Sequence, residues 1–204
     1  GSTRVRLSVD DIKSVSAKRE VTTDDTFEMP EYIVPHNNRN NLVSFCERWR
    51  LDADKLNLQY DVKDDRVVFP IEHNGKLVDA TGRSLGKRMP KWKRYGNNPL
   101  PYIFGCGRVA VVVEDCVSAC VIDSNIHVGV AILGTSLSEE HKKYLAQFST
   151  AIVALDPDAL PKILQFAKEL RSYIPNVRVL RLKDDLKYRN EDDIYNLYKL
   201  TPKE

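Results

Sequence analysis

The chain lacks any cysteine arrangement that could close a zinc site. Its four cysteines, Cys46, Cys106, Cys116 and Cys120, form no CxxC pair. Cys116 and Cys120 have the spacing of one helical face, but no second pair or nearby histidine completes a tetrahedral set. Reduced, buried thiols of a cytosolic protein are the expectation. Histidine is equally thin: His36, His73, His127 and His141 are scattered, and none is assigned to a metal. No apolar run approaches the roughly 20 residues that a membrane-spanning helix needs. No secretory signal is visible; no membrane partner and a cytoplasmic location are the expectations. Charge of one sign is also missing. With 31 basic against 29 acidic side chains the net charge is +2, so any nucleic-acid surface must come from local clustering. Gly1-Ser2 reads as the remnant of a cleaved tag and is set aside.

What is present divides the 204 residues into two parts, 3–105 and 106–204. The first opens with polar stretches, "VTTDD" and "MPEYIVPHNN", that read as extended or loop segments. "NLVSFCERWR" puts Leu42, Phe45, Cys46 and Trp49 on one helical face. "DADKLN" predicts a short helix capped by Asp52. "RVVFPI" and "GKLVDATG" flank "EHNG", two strands joined by an Asn-Gly turn.

In the second part the pattern changes to apolar strands alternating with helices. "RVAVVV", "VGVAIL", "AIVAL" and "VRVLRL" are the strands. Between them lie a short helix from about Cys116 to Ile122, "SEEHKKYLAQF" with Ser136 and Glu139 spaced as a capping box, and "ALPKILQFAKELRSYI". The last offers Leu160, Ile163, Leu164, Phe166, Ala167 and Leu170 to a buried side. Nearly all-apolar strands alternating with helices imply a parallel sheet covered on both faces. The fold class is therefore α/β, with a smaller α+β subdomain in front.

Ligands of such sheets bind at the carboxyl ends of the strands. Glu114 follows the first of these strands, Gly134 the second, and Asp156 and Asp158 the third. Three carboxylates gathered at one edge repel unless something cationic sits between them. Hard oxygen ligands suit Mg2+ or Mn2+. The competing structural roles are simple: Asp158 as cap of the helix starting at Ala159, and Asp156-Pro157 as a turn.

A second cluster lies in "TGRSLGKRMPKWKRY". Arg83, Lys87, Arg88, Lys91, Lys93 and Arg94 occur there with no acid, and Trp92 and Tyr95 are interleaved. Cations neutralise phosphates and aromatic faces stack on unpaired bases. Gly82, Gly86 and Pro90 favour a loop. The alternative is a solvated loop with Trp92 packed at the domain junction. The basic residues of "RSYIPNVRVLRLKDDLKYR" are mixed with acids and read as ordinary surface.

The order "VVVEDCVSA", "VAILGTSLSEEHKKYL", "AIVALDPDAL" resembles the Toprim domain of topoisomerases, bacterial-type primases and small nucleases. The upstream stretch with "VFPI", a Gly-containing hairpin, "GR" and "PKW" is similar to the basic subdomain that precedes Toprim in bacterial and phage primases. The likeness covers roughly residues 40–195. It implies a DNA primase catalytic core that makes RNA primers on single-stranded DNA by nucleotidyl transfer. Glu114, Asp156 and Asp158 would be catalytic, and these three with Asp184 would hold Mg2+ or Mn2+. Asp192 or Asp193 would supply the second aspartate of the later acidic motif. Lys91 and Lys93 would contact template or ribonucleoside triphosphate, with Arg83 between the strip and the metal edge. A replicative helicase and a zinc-binding module on another segment or chain are the implied partners, in a bacterial or phage-infected cell. Where the family carries Gly and Asp after its glutamate, this chain has Asp115 and Ser118. Those departures keep two alternatives open: a Toprim nuclease, or a nucleic-acid-binding module without catalysis.

Overall fold

A computed structural model describes residues 27–203. Gly1-Ser2, "VTTDD" and the expected start of the first part at residue 3 lie outside the described residues. Two five-stranded sheets make up the molecule. The first is antiparallel throughout, in the order β1 (Ile33–Pro35), β2 (Gln59–Asp61), β3 (Arg66–His73), β4 (Lys76–Ser84), β5 (Trp92–Arg94). Asn74 and Gly75 both take positive φ and close the β3–β4 hairpin, as an Asn-Gly pair does in a type I′ turn.

The second sheet runs β10 (Asn176–Val179), β9 (Thr150–Val153), β7 (Val109–Val113), β8 (His127–Ala131), β6 (Tyr102–Phe104). The first four are mutually parallel, and β6 pairs antiparallel with β8 at the edge. Helices flank it: α1 (Asn40–Trp49) from the first part, α2 (Cys116–Ala119), α3 (Glu139–Leu145), α4 (Leu160–Leu170) and α5 (Glu191–Leu200). Strand β6 joins this sheet from just before residue 105.

Alternation along β7 explains how both faces are filled. Val109, Val111 and Val113 point to a core shared with Phe69 and Ile71 of the antiparallel sheet, Leu42 of α1 and Leu197 of α5. Ala110 and Val112 point the other way, to Leu145 of α3 and Ile163, Phe166 and Leu170 of α4. All five β7 residues are fully buried. Each buried valine contributes roughly 1.5–3 kcal/mol over exposure, which fixes the strand whose end carries Glu114.

Local departures from the sequence pattern have physical causes. "DADKLN" forms turns rather than a helix; Asp52 accepts hydrogen bonds from the amides of Asp54 and Lys55, so it caps a turn. Ser138, not Ser136, caps α3, and His141 completes the box from the third position. Leu164 is 56% exposed, because α4 buries only Ile163, Phe166, Ala167 and Leu170. The last sheet strand stops at Val179.

Gly129 on β8 is where α2 lies directly on the sheet. A Cβ there would stand 2.0 Å from the Ala119 carbonyl oxygen. That contact is backbone and cannot rotate away. Gly129→Ala should therefore lower stability by about 1–3 kcal/mol, the range for overpacking, read as a drop in thermal midpoint.

Candidate active site and nucleic-acid interface

The parallel register brings the strand ends level, with Val112 opposite Val153 and Val153 opposite Val179. Glu114 is the residue after β7, Asp156 lies three past β9, and Asp184 and Asp185 follow β10. The Asp156 carboxyl stands between those of Glu114 and Asp185, close enough for its proton to be shared with either. Glu114 Oε2 also accepts the Asp156 amide at 3.1 Å. Its Oε1 accepts from Lys162 Nζ at 2.5 Å, a cation carried by the first turn of α4.

Such crowding is tolerated by moving protons. Burial, the Glu114 hydrogen bond and the charges of Glu114, Asp185 and Asp115 push the Asp156 carboxyl up to about 8. It is therefore largely protonated at neutral pH and donates a hydrogen bond. Burial acts to raise Glu114 as well, but hydrogen bonds from Asp156 and Lys162 outweigh it and hold Glu114 below the usual carboxylate range. Burial also raises Asp185. Two carboxylates, one shared proton and one ammonium replace three mutually repelling charges.

The other predicted acids lie differently. Asp158 is exposed, and α4 starts from Ala159 without a side-chain cap, so Asp158 does not cap that helix. Asp184 turns towards Asn190, whose Nδ2 donates to it at 3.1 Å; Asp185 is the one that reaches Asp156. Asp193 is buried and accepts from the amides of Lys183 and Asp184. Asp192 pairs with Lys183 at 2.5 Å. The two departures from the family pattern fit together: Asp115 caps α2 by accepting from the Ser118 amide at 2.9 Å.

Carboxyl oxygens from separate strand ends are donors that suit a hard divalent ion, although such an ion would have to displace the Asp156 proton and the Lys162 ammonium seated on Glu114. As they stand, the groups close onto one another, and among the described residues no three His, Cys, Asp or Glu side chains surround a common point.

The basic strip is not a loop along its whole length. Gly82 and Arg83 lie in β4, and Trp92, Lys93 and Arg94 form β5. Pairing of Arg83 with Trp92 and of Thr81 with Arg94 sets Arg83, Trp92 and Arg94 on the face towards the parallel sheet. There the Trp92 ring packs 5.8 Å from Phe69, and Arg83 lies close enough to Asp115 for their charges to interact. Arg94 Nη1 is tied to buried Asp79 at 3.4 Å and to the Asn98 carbonyl. On the other face, Arg88 and Lys93 both bind Asp64, at 2.8 and 3.0 Å. Lys87 and Lys91 are exposed and have no ion pair among the described residues. Asp64, from the β2–β3 turn, and Lys162 are the two functional neighbours that sequence reasoning missed; neither sits in a motif.

No family model matches the chain. In sequence it is similar to the DNA primase of Geobacillus stearothermophilus, with 32% identity over 111 residues that cover 46% of this chain and 18% of that protein. The chain thus matches about a fifth of the length of this curated relative. In structure it is similar to the DnaG primase catalytic domain bound to single-stranded DNA, with a TM-score of 0.59, 16% identity, and coverage of 80% of this chain and 74% of that one. It is also similar to an Aquifex aeolicus primase comprising zinc-binding and RNA polymerase domains, with a TM-score of 0.58, 19% identity, and coverage of 83% and 50%. Among the described residues no helix is long and apolar enough to cross a membrane.

A pH test follows from the acid cluster. The folded state raises Asp156 far above its unfolded value near 4, so it favours the protonated form. In the presence of chelator, stability should be greatest below about pH 4 as far as this group is concerned, and should fall as the pH rises towards 8. Glu114 works in the opposite sense, losing its contribution only as the pH drops through its depressed value. Asp156→Asn should flatten the loss between pH 5 and 8 and gain on the order of 2 kcal/mol at pH 8, after discounting for partial exposure. Thermal midpoints measured across pH for both proteins check this.

Proposed function

With the fold of a bacterial- or phage-type primase catalytic core as the premise, we propose that this chain joins ribonucleotides into RNA primers on single-stranded DNA. The observation that carries the reading is the meeting of Glu114, Asp156 and Asp185 at the ends of parallel strands, with Arg83 of the basic sheet facing the same edge. The hydroxyl of the primer, or of the first nucleotide, attacks the α-phosphorus of a ribonucleoside triphosphate; a P–O bond forms and pyrophosphate leaves. Mg2+ or Mn2+, when bound, would offset the charge that grows on the transferring phosphoryl group.

Glu114, Asp156 and Asp185 would hold the ions, with Asp158 and Asp184 at the exposed rim. Asp156 must then give up its proton, so binding would release about one proton near neutral pH. Glu114, already ionised, either ligates or takes the hydroxyl proton. Lys162 keeps that carboxylate charged and in place. Lys87 and Lys91, without anionic partners, are suited to template or triphosphate oxygens, and Arg83 to phosphate at the domain junction. Trp92 and Arg94 would act by holding the strip in shape, and Arg88 and Lys93 by the charge left after Asp64. The zinc-binding domain of the Aquifex primase supports a zinc module as a partner for this cysteine-poor chain. A replicative helicase fits the same cytoplasmic setting.

One observation favours a second reading. Lys162 on Glu114 and a protonated Asp156 offset two of the three acids without any ion, as a binding module without catalysis would require. Template-directed synthesis separates the two. Single-stranded DNA, ribonucleotides and Mn2+ or Mg2+ should give short RNA from the wild type. Glu114→Gln and Asp156→Asn should each lower the yield by about 100-fold or more. Template bound but unextended, by wild type supplied with a zinc-binding primase module, would support the second reading. Template degraded instead would point to a nuclease.

A further inference from the structure

The outer side of α5 carries a basic and aromatic surface that the proposed reaction does not use. Tyr195 and Tyr198, one turn apart, are 67% and 44% exposed. They line a cavity of about 520 Å³ with Arg50, from the end of α1, and Arg189. The same two tyrosines line a neighbouring cavity of about 490 Å³ with Arg178, Lys199 and Lys203. The two cavities therefore lie on either side of the tyrosine pair.

The cations on this surface are not neutralised as Arg88, Lys93 and Arg94 of the basic strip are. Arg178 donates to the Leu200 carbonyl and to the Asn176 amide oxygen. Arg189 donates to the Trp49 and Arg50 carbonyls, and its Nε is buried with no partner. Arg50 and Lys199 have no ion pair among the described residues. Arg50 and Arg189 lie close enough to repel each other. Glu191 is the one acid lining these two cavities. Two like charges facing one cavity are stabilised by an anion between them. A row of such charges interleaved with exposed rings matches a polyanion with flat bases, rather than a compact anion or an acidic peptide.

We propose that the face formed by Tyr195, Tyr198, Arg50, Arg189, Arg178 and Lys199 is a track for single-stranded nucleic acid, separate from the strip around Lys87 and Lys91. Bases stack on the two tyrosines and phosphates lie against the arginines. The track requires neither metal nor nucleotide chemistry, so it stands or falls independently of primer synthesis.

The test measures binding of a fluorescent oligothymidylate of about 15 nucleotides to the full chain in EDTA, by anisotropy. Tyr195→Ala and Arg50→Gln each weaken binding about tenfold, Tyr195→Phe retains it, and Arg50→Gln lowers the salt slope by about one. Both side chains are at the surface, and circular dichroism confirms that the variants fold. An oligomer containing 4-thiothymidine cross-links to the α5 segment in wild type and in a Lys87→Ala/Lys91→Ala variant. Unchanged affinity in Tyr195→Ala with cross-links confined to the strip overturns the proposal. So does equal competition by inorganic phosphate or polyglutamate, which would make the surface a general anion or acidic-protein site.

Discussion

Carboxyl groups forced into mutual contact are the constraint on which the rest of this structure depends. Parallel pairing of β7, β9 and β10 brings their ends together, and Glu114, Asp156 and Asp185 come with them. Two devices hold them there: a proton retained on Asp156 and the ammonium of Lys162. Both need a rigid frame. The frame is β7, saturated with apolar contacts on both faces, and the close seating of α2 on Gly129. A loose sheet would let the acids drift apart to ordinary solvated positions.

A similar balance runs through the antiparallel sheet. Its cations are apportioned between two buried or half-buried acids, Asp79 on one side and Asp64 on the other. Asp79 also accepts from the amides of Ala80, Gly96 and Asn98, so it fixes the backbone after β5 as well as Arg94. Asp64 spends one carboxylate on Arg88 and Lys93 and lies 3.8 Å from buried Arg66. The positive charge left for a ligand is thus concentrated at Lys87, Lys91 and Arg83, fewer positions than the composition of the segment suggests.

Most of the architecture was legible because it is written in periodicity. Four apolar strands separated by amphipathic helices read as a parallel sheet, and the Asn-Gly pair read as a hairpin. The strand-end placement of Glu114 and Asp156 was legible because each closes an apolar run, Glu114 directly after β7 and Asp156 three residues past β9. What was not legible depends on the third dimension. Nothing in "LKDD" distinguishes Asp184 from Asp185; the chain direction after β10 decides which carboxyl turns inward. Lys162 looked like an ordinary surface residue of α4. Asp64 and the strip are some 25 residues apart in the chain and meet only through sheet pairing. Ser138 displaced Ser136 because His141 could complete a cap as well as a glutamate could. In the mixed run before α5, Lys183 and Lys187 do meet acids, whereas Arg178 and Arg189 meet only oxygen atoms without charge.

Asp193 gives α5 a mechanical character. At one end its buried carboxylate grips the amides of Lys183 and Asp184, the residues just before Asp185. At the other end Arg178 of β10 holds the Leu200 carbonyl, and His127 of β8 bonds to Thr201. A ten-residue helix is about 15 Å long and axially stiff. It therefore works as a strut clamped at both ends, and the height of the acidic loop above the sheet is set by the length of that strut.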